Sequence, residues 1–344
     1  MPTCAIVSFR LGLTDGVSVV AETWQRSLSG LGFDVVTVAG EGPVDRTVAG
    51  LRLDAAGPPP YSEVEAALAD ADLVVVENLC TIPMNLPAAL VVADVLRGRP
   101  AILHHHDPPW QREHFAHVTA LPPTDDAWVH VTINRRTEAE MAERGIAATT
   151  IYNGFDTSLR PGRGARSRVR AQLGIAADEL VAIHPVRAIP RKNVPAAVAL
   201  CEELGATYWL AGPAEDGYGP ELERILGAAR CRVIRASLAH GPDLYAAPDL
   251  VVFPSTWEGF GNPPVEAAIC GLPAVVGHYP VADELRTLGF RWFAPDDAAA
   301  VAAFLAAPDD ELLEHNRALV ARHLSLEVLA RNIGDLLDRA GWMP

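Results

Sequence analysis

The chain alternates short apolar runs with longer stretches of helical spacing. In the first half the runs are CAIVSF, DVVTVAG, DLVVVEN, AILHHH and HVTIN, and in the second LVAIHPV, TYWLAG, CRVIRAS, DLVVFPS and PAVVG. They are rich in Val and Ile without strict polar alternation, as suits strands covered on both faces of a parallel sheet. Two doubly wound α/β units are therefore expected. Between them, YNGFDTSLRPGRGARSR (residues 152–168) is dense in Gly, Pro and Arg and reads as the crossing. The boundary is set near Leu159, giving domains 1–158 and 159–325. AAAVAAFLAA and LEVLARNIGDLLDRAG have helical periodicity, so the chain ends in helices.

Composition agrees with two domains. At 344 residues and 49% hydrophobic content the chain is long enough to bury a large core. Its start, MPTCAIVSF, lacks the basic stretch and cleavage site of a signal peptide, and no apolar run reaches about 18 residues, so a cytoplasmic protein without integral membrane association is expected. Five scattered cysteines form no Cys-x-x-Cys pair and suggest small buried hydrophobes. With 28 Lys+Arg against 43 Asp+Glu, the net charge of −15 argues against nucleic acid or an anionic membrane as the principal partner. An anionic ligand then needs a local positive cluster. Nothing in the sequence fixes the oligomeric state.

Two segments supply candidate chemistry. In FPSTWEGFGNPPVEAAICG, residues 253–271, a strand is followed by a Gly-rich loop, a short helix opened by Pro263 or Pro264 and closed by Gly271, and another strand. Ligands of parallel α/β sheets bind beyond the carboxyl ends of strands, where helix N-termini attract phosphate. Glu258 in the loop and Glu266 in the first helical turn are placed to meet a sugar's vicinal hydroxyls there. The bland alternative is a solvated Glu258 and a Glu266 that merely complements the helix dipole. In HPVRAIPRKNVPAAVAL, Arg187, Arg191 and Lys192 lie between a strand and a helix start, a pattern that suits a diphosphate clamp or else a solvated basic turn.

RAIPRKN, LAGP, YNGFD and LYAAPDLVVFPSTWEGFGNPPVEAAICGLPAVV together resemble the retaining glycosyltransferases of family 4. The resemblance covers most of the chain and is strongest from Ile151 to Val276. It implies the GT-B fold, two Rossmann-like parallel-sheet domains facing a central cleft, with the last helix (about 326–344) packed back on the first domain. It implies that Arg187 and Lys192 hold the donor diphosphate, that Glu266 binds the ribose, that Glu258 lies by the donor sugar, and that the backbone of Phe260, Gly261 and Asn262 touches sugar and phosphate. His106, at the end of AILHHH, is implied to reach the donor sugar. GLTDGVSVV resembles the family's first loop and helix, which implies donor contact at Gly16 and an acceptor-side place for Asp15, but Asp15-Gly16 replaces the usual double Gly. Asn78, Asn85, Asp107 and Trp110 fall in loops expected on the acceptor side, with packing or capping as their alternative.

The implied reaction moves a sugar from a nucleoside-diphosphate sugar, UDP first and GDP next, to a hydroxyl of a soluble acceptor. Fixed cations would stabilise the leaving diphosphate, so neither cofactor nor metal is expected. The three consecutive His do not suggest an ion, because strand neighbours point to opposite faces and cannot all converge. The rivals are a sugar-nucleotide epimerase or phosphorylase on the same fold, and a nucleotide-sugar-binding protein without turnover. No Gly-x-Gly-x-x-Gly follows the first strand, which counts against a dehydrogenase.

Overall fold

All ten apolar runs form strands, and two short edge strands join them. The computed structural model describes residues 1–13, 15–215, 217–238 and 241–344. The chain divides into two units, Met1–Phe155 with Leu324–Pro344, and Asp156–His323.

The first unit contains β1 (Thr3–Arg10), α1 (Gly16–Gly30), β2 (Asp34–Glu41), β3 (Arg46–Thr47), α2 (Tyr61–Leu68), β4 (Leu73–Glu77), α3 (Leu86–Leu96), β5 (Ala101–His105), β6 (Trp128–Thr132), α4 (Arg135–Ala142) and β7 (Ala148–Thr150). Its seven strands lie in the order β3-β2-β1-β4-β5-β6-β7, and all pair in parallel. The second unit contains α5 (Ala165–Gln172), β8 (Val181–His184), α6 (Val194–Leu204), β9 (Thr207–Leu210), α7 (Gly219–Gly227), β10 (Val233–Arg235), β11 (Leu250–Phe253), α8 (Asn262–Cys270), β12 (Ala274–Val276), α9 (Pro280–Thr287), α10 (Ala298–Ala306) and α11 (Asp310–His323). Its five parallel strands run β10-β9-β8-β11-β12. Every residue of β4, β8, β9 and β11 is buried, which accounts for their unbroken apolar runs.

The last helix, α12 (Leu326–Ala340), belongs to the first unit. Ser325 caps it by accepting from Val328 N at 3.3 Å. Its Leu329, Ile333, Leu336 and Leu337 share one apolar cluster with Trp24 and Leu28 of α1. The division between units falls at Phe155, before the Leu159 read from sequence. Phe155 N donates to Leu324 O at 2.8 Å and Leu326 N donates to Phe155 O at 3.0 Å, which ties this residue to the first unit. Gly154 allows the approach, since a Cβ there would meet Leu329 Cδ2 at 2.7 Å.

Each sheet reverses its strand order once, between β1 and β4 and between β8 and β11. Such switch points are where open α/β sheets bind ligands. Among the described residues, the only non-glycines with positive φ, Asn78 (57°) and Asn193 (55°), follow β4 and β8 at these points. A left-handed residue costs about 1–2 kcal/mol, least for Asn, and such strain clusters at functional sites. No helix among the described residues is long and apolar enough to cross a membrane.

Candidate active site

In the second unit, the loops after β8 and β11 are stitched together at the switch point. Thr256 N donates to Arg191 O at 2.9 Å, and Arg191 Nη1 donates to Trp257 O at 2.8 Å. The carboxylate of Glu258, only 6% exposed, takes Lys192 Nζ on Oε1 and Arg191 Nη1 on Oε2, each at 2.5 Å. Burial alone would raise the Glu258 carboxyl, but the charges of Lys192 and Arg191 outweigh it and bring it below the usual value. Burial pushes the Lys192 amine down to about 8, against the opposing pull of Glu258. A solvated Glu258 is thereby corrected: both its oxygens are engaged in a buried double ion pair.

Arg187 stands apart from this contact, with Nη1 at 2.5 Å from Glu215 Oε2 and both side chains partly exposed. The cation that joins Lys192 on Glu258 is Arg191, which the sequence placed in the cluster without a separate role. The reason is local: Pro190–Lys192 is a 3-10 turn whose Lys192 N returns to Ile189 O at 3.0 Å, and this packs Arg191 and Lys192 against the β11 loop. His184, at the end of β8, is buried with Nδ1 at 2.9 Å from the Tyr208 hydroxyl. Burial, then the Lys192 charge, pushes it down to about 3.

Helix α8 starts at Asn262, with Pro263 and Pro264 inside its first turn, and is closed by Gly271 in the left-handed conformation. Gly261, its N-cap, has φ 101°, and a Cβ there would lie 2.3 Å from Tyr279 Oη, so only glycine fits. Phe260 is buried, and its carbonyl accepts from the Tyr279 hydroxyl at 3.4 Å. Glu266 lies just past the first turn, a correction to its expected place, and accepts a hydrogen bond from Tyr245 Oη. Residues 233–240, a segment whose sequence suggests a loop that sets donor base and sugar, end in Ala239 and His240, which lie outside the described residues.

In the first unit, β4 and β5 end side by side, with Glu77 paired opposite His104. Strand alternation sends His105 to one face, where Nδ1 meets Thr81 Oγ1 at 2.7 Å and Nε2 meets His130 Nδ1 at 2.9 Å. His104 and His106 both turn to the other face and converge on Glu77: His104 Nδ1 lies 2.9 Å from Oε1, and His106 Nε2 lies 3.0 Å from Oε2. Burial would raise the fully buried Glu77 carboxyl, but its two histidines hold it down at about 2. The donor atoms of the three lie within 4.8 Å of one another, a composition that suits a metal as well as a hydrogen-bonded triad. Two of the three histidines thus do converge, because the third partner comes from the neighbouring strand.

The remaining first-unit candidates are occupied by local structure. Asp15 is the N-cap of α1, accepting from Val17 N at 3.2 Å and Ser18 N at 3.3 Å and lying 3.3 Å from Arg10 Nε. Gly16 has no atom within 4 Å of where a Cβ would stand. Asn85 caps α3 through Ala88 N at 3.2 Å and donates to Gly50 O and Arg52 O, the capping role set beside its acceptor role. Trp110 donates to Glu140 Oε2 at 2.9 Å and lies under the Arg144 guanidinium. Asn78 joins Asp107 at 2.8 Å, and Asp107 pairs with Arg112. A cavity of about 350 Å³ beside α1 is lined by Gly12, Leu13, Ser18, Glu22, Thr37 and Asp45; neither cluster described above borders it.

Two parallel sheets, each with one strand-order switch point, are the architecture of the GT-B fold. The Anabaena protein HepE, solved in complex with UDP-glucose, has the same fold at a TM-score of 0.76 and 21% identity, covering 98% of this chain and 99% of that one. Residues 190–308, all within the second unit, match the family described as "Glycosyl transferases group 1". The mannosylglucosylglycerate synthase of Thermotoga maritima is 24% identical over 97% of this chain and 98% of its own. The GDP-mannose-dependent alpha-(1-6)-phosphatidylinositol monomannoside mannosyltransferase of Mycolicibacterium smegmatis is 26% identical over 77% of this chain and 75% of its own.

Proposed function

We propose that this glycosyltransferase moves a hexosyl group from a nucleoside-diphosphate sugar to a hydroxyl of a small acceptor, with retention at the anomeric carbon and with fixed cations serving the leaving diphosphate. The observation that carries this reading is the buried Glu258 with Lys192 and Arg191 at the switch point of the second unit. As the glycosidic bond breaks, charge grows on the bridging phosphate oxygen. Preorganised donors are worth most where charge develops in a site shielded from water. Lys192, Arg191 and Arg187 take the diphosphate, aided by the amides that open α8. Glu266 takes the ribose hydroxyls, and Glu258 and His106 stand by the donor sugar. The acceptor attacks from the face the leaving group vacates and passes its proton to the departing phosphate oxygen.

UDP-glucose, bound in the HepE structure, and GDP-mannose, in the name of the Mycolicibacterium smegmatis relative, are the donors to try first. Purified protein is incubated with each, in EDTA, against glycerate, sugar and polyol acceptors. The expected result is acceptor-dependent release of one nucleoside diphosphate and a product whose anomeric configuration, read by NMR, matches the donor. Release that stops in EDTA contradicts the cation-based mechanism, and an inverted product contradicts retention.

A further inference from the structure

Glu77 is an unusual residue to find where it lies. It ends the strand LVVVE, every residue of which is buried, and is itself 0% exposed. A lone buried carboxylate is strongly disfavoured, whereas another aliphatic residue would continue the run at no such cost. Holding β4 to β5 does not require it, because the backbone ladder from Val74↔Ala101 to Glu77↔His104 already does so. Its partners are also selective: one ring nitrogen on each oxygen, from His104 on β5 and His106 just past its end.

We propose that Glu77 is a positioning residue for sugar transfer, fixing His106 in the tautomer protonated at Nε2 so that Nδ1 is the ring atom left for substrate. An ionised carboxylate only accepts hydrogen bonds, so the His106 nitrogen facing it carries the proton. The main chain is fixed as well, since His106 N donates to Asn78 Oδ1 at 3.1 Å and Asn78 is itself held in the left-handed conformation beside Glu77. His104 fills the second oxygen and packs edge-on to His106, ring centroids 4.8 Å apart, which stops the carboxylate from rotating away. Outer partners of this kind set the orientation and tautomer of a working histidine. The proposal rests on the reading that His106 stands by the donor sugar.

The test combines ¹⁵N NMR of the histidine rings with a double-mutant cycle. In the wild-type protein the His106 ring is expected to carry its proton on Nε2, and Glu77→Gln should lose that preference and lower kcat at least tenfold. In a His106→Ala background the same substitution should change kcat less than twofold, because Glu77 acts through that ring. A merely structural role would give equal losses in both backgrounds, and that result overturns the proposal. So does a wild-type His106 protonated on Nδ1, a measurement that stands even if Glu77→Gln fails to fold. A stoichiometric divalent ion in protein purified without chelator, lost on Glu77→Gln, also overturns it. An Nε2-protonated ring with no transfer from any donor contradicts the functional reading alone, whereas active enzyme with the proton on Nδ1 contradicts the role of Glu77 alone.

Discussion

At Lys192 two demands meet, since the side chain is buried against Glu258 and, in the proposed reaction, keeps its charge to hold a diphosphate. Burial brings its amine down to about 8, so the ligand-free chain loses this charge as pH rises through that value. Binding selects the protonated form, so nucleoside-diphosphate affinity should weaken about tenfold per pH unit above about 8. In Lys192→Arg the guanidinium stays charged, and the decline should flatten. Calorimetric dissociation constants for UDP and GDP between about pH 6.5 and 9.5 check this; a flat wild-type profile contradicts it. Glu258 and the Arg187–Lys192 segment were legible in the sequence because they lie in loops that follow strands, and Glu266 because the helix holding it opens from such a loop. Arg191 could not be told from Arg187 there, because its turn toward Glu258 depends on how the 3-10 turn packs against the β11 loop.

The central strands were legible for the reason that makes them strands: β4, β8, β9 and β11 are buried throughout and read as apolar runs. β3 and β7 were not, being two- and three-residue edge pieces with no fully buried position. The Glu77 triad was hidden for a different cause, since it depends on the register of β4 against β5 and no spacing in the sequence encodes that pairing. Helix α12 gives the test at this scale. Ile333 is fully buried against α1, so Ile333→Ala should destabilise the first unit by about 2–5 kcal/mol, the usual cost of a large-to-small change in a packed core. Urea unfolding followed by Trp24 fluorescence measures it, and a loss under about 0.5 kcal/mol, the range of ordinary surface changes, contradicts the packing of α12 on α1.

Across the whole molecule, buried histidines tie stability to acidity. Burial holds His105 well below its usual value, His130 at about 4 and His184 at about 3. Each stays neutral in the fold while the unfolded chain takes up a proton near its ordinary value, so their contribution is full above about pH 6.5 and declines as pH falls toward 4 and 3. Each such site gives a slope of up to about 1.4 kcal/mol per pH unit. Glu77, held at about 2, adds a further loss as pH falls below its ordinary 4.5. Urea midpoints should therefore drop steeply between about pH 6.5 and 4, and constant midpoints contradict this. Binding of a nucleoside diphosphate by the Lys192–Arg191–Glu258 cluster of the second unit is measured by isothermal titration of UDP and GDP, in EDTA, into wild type and a folded Lys192→Ala. One nucleotide should bind wild type and bind the variant at least tenfold more weakly, a difference of about 1.4 kcal/mol. Equal affinity for both proteins, or no binding of either nucleotide to wild type, contradicts it.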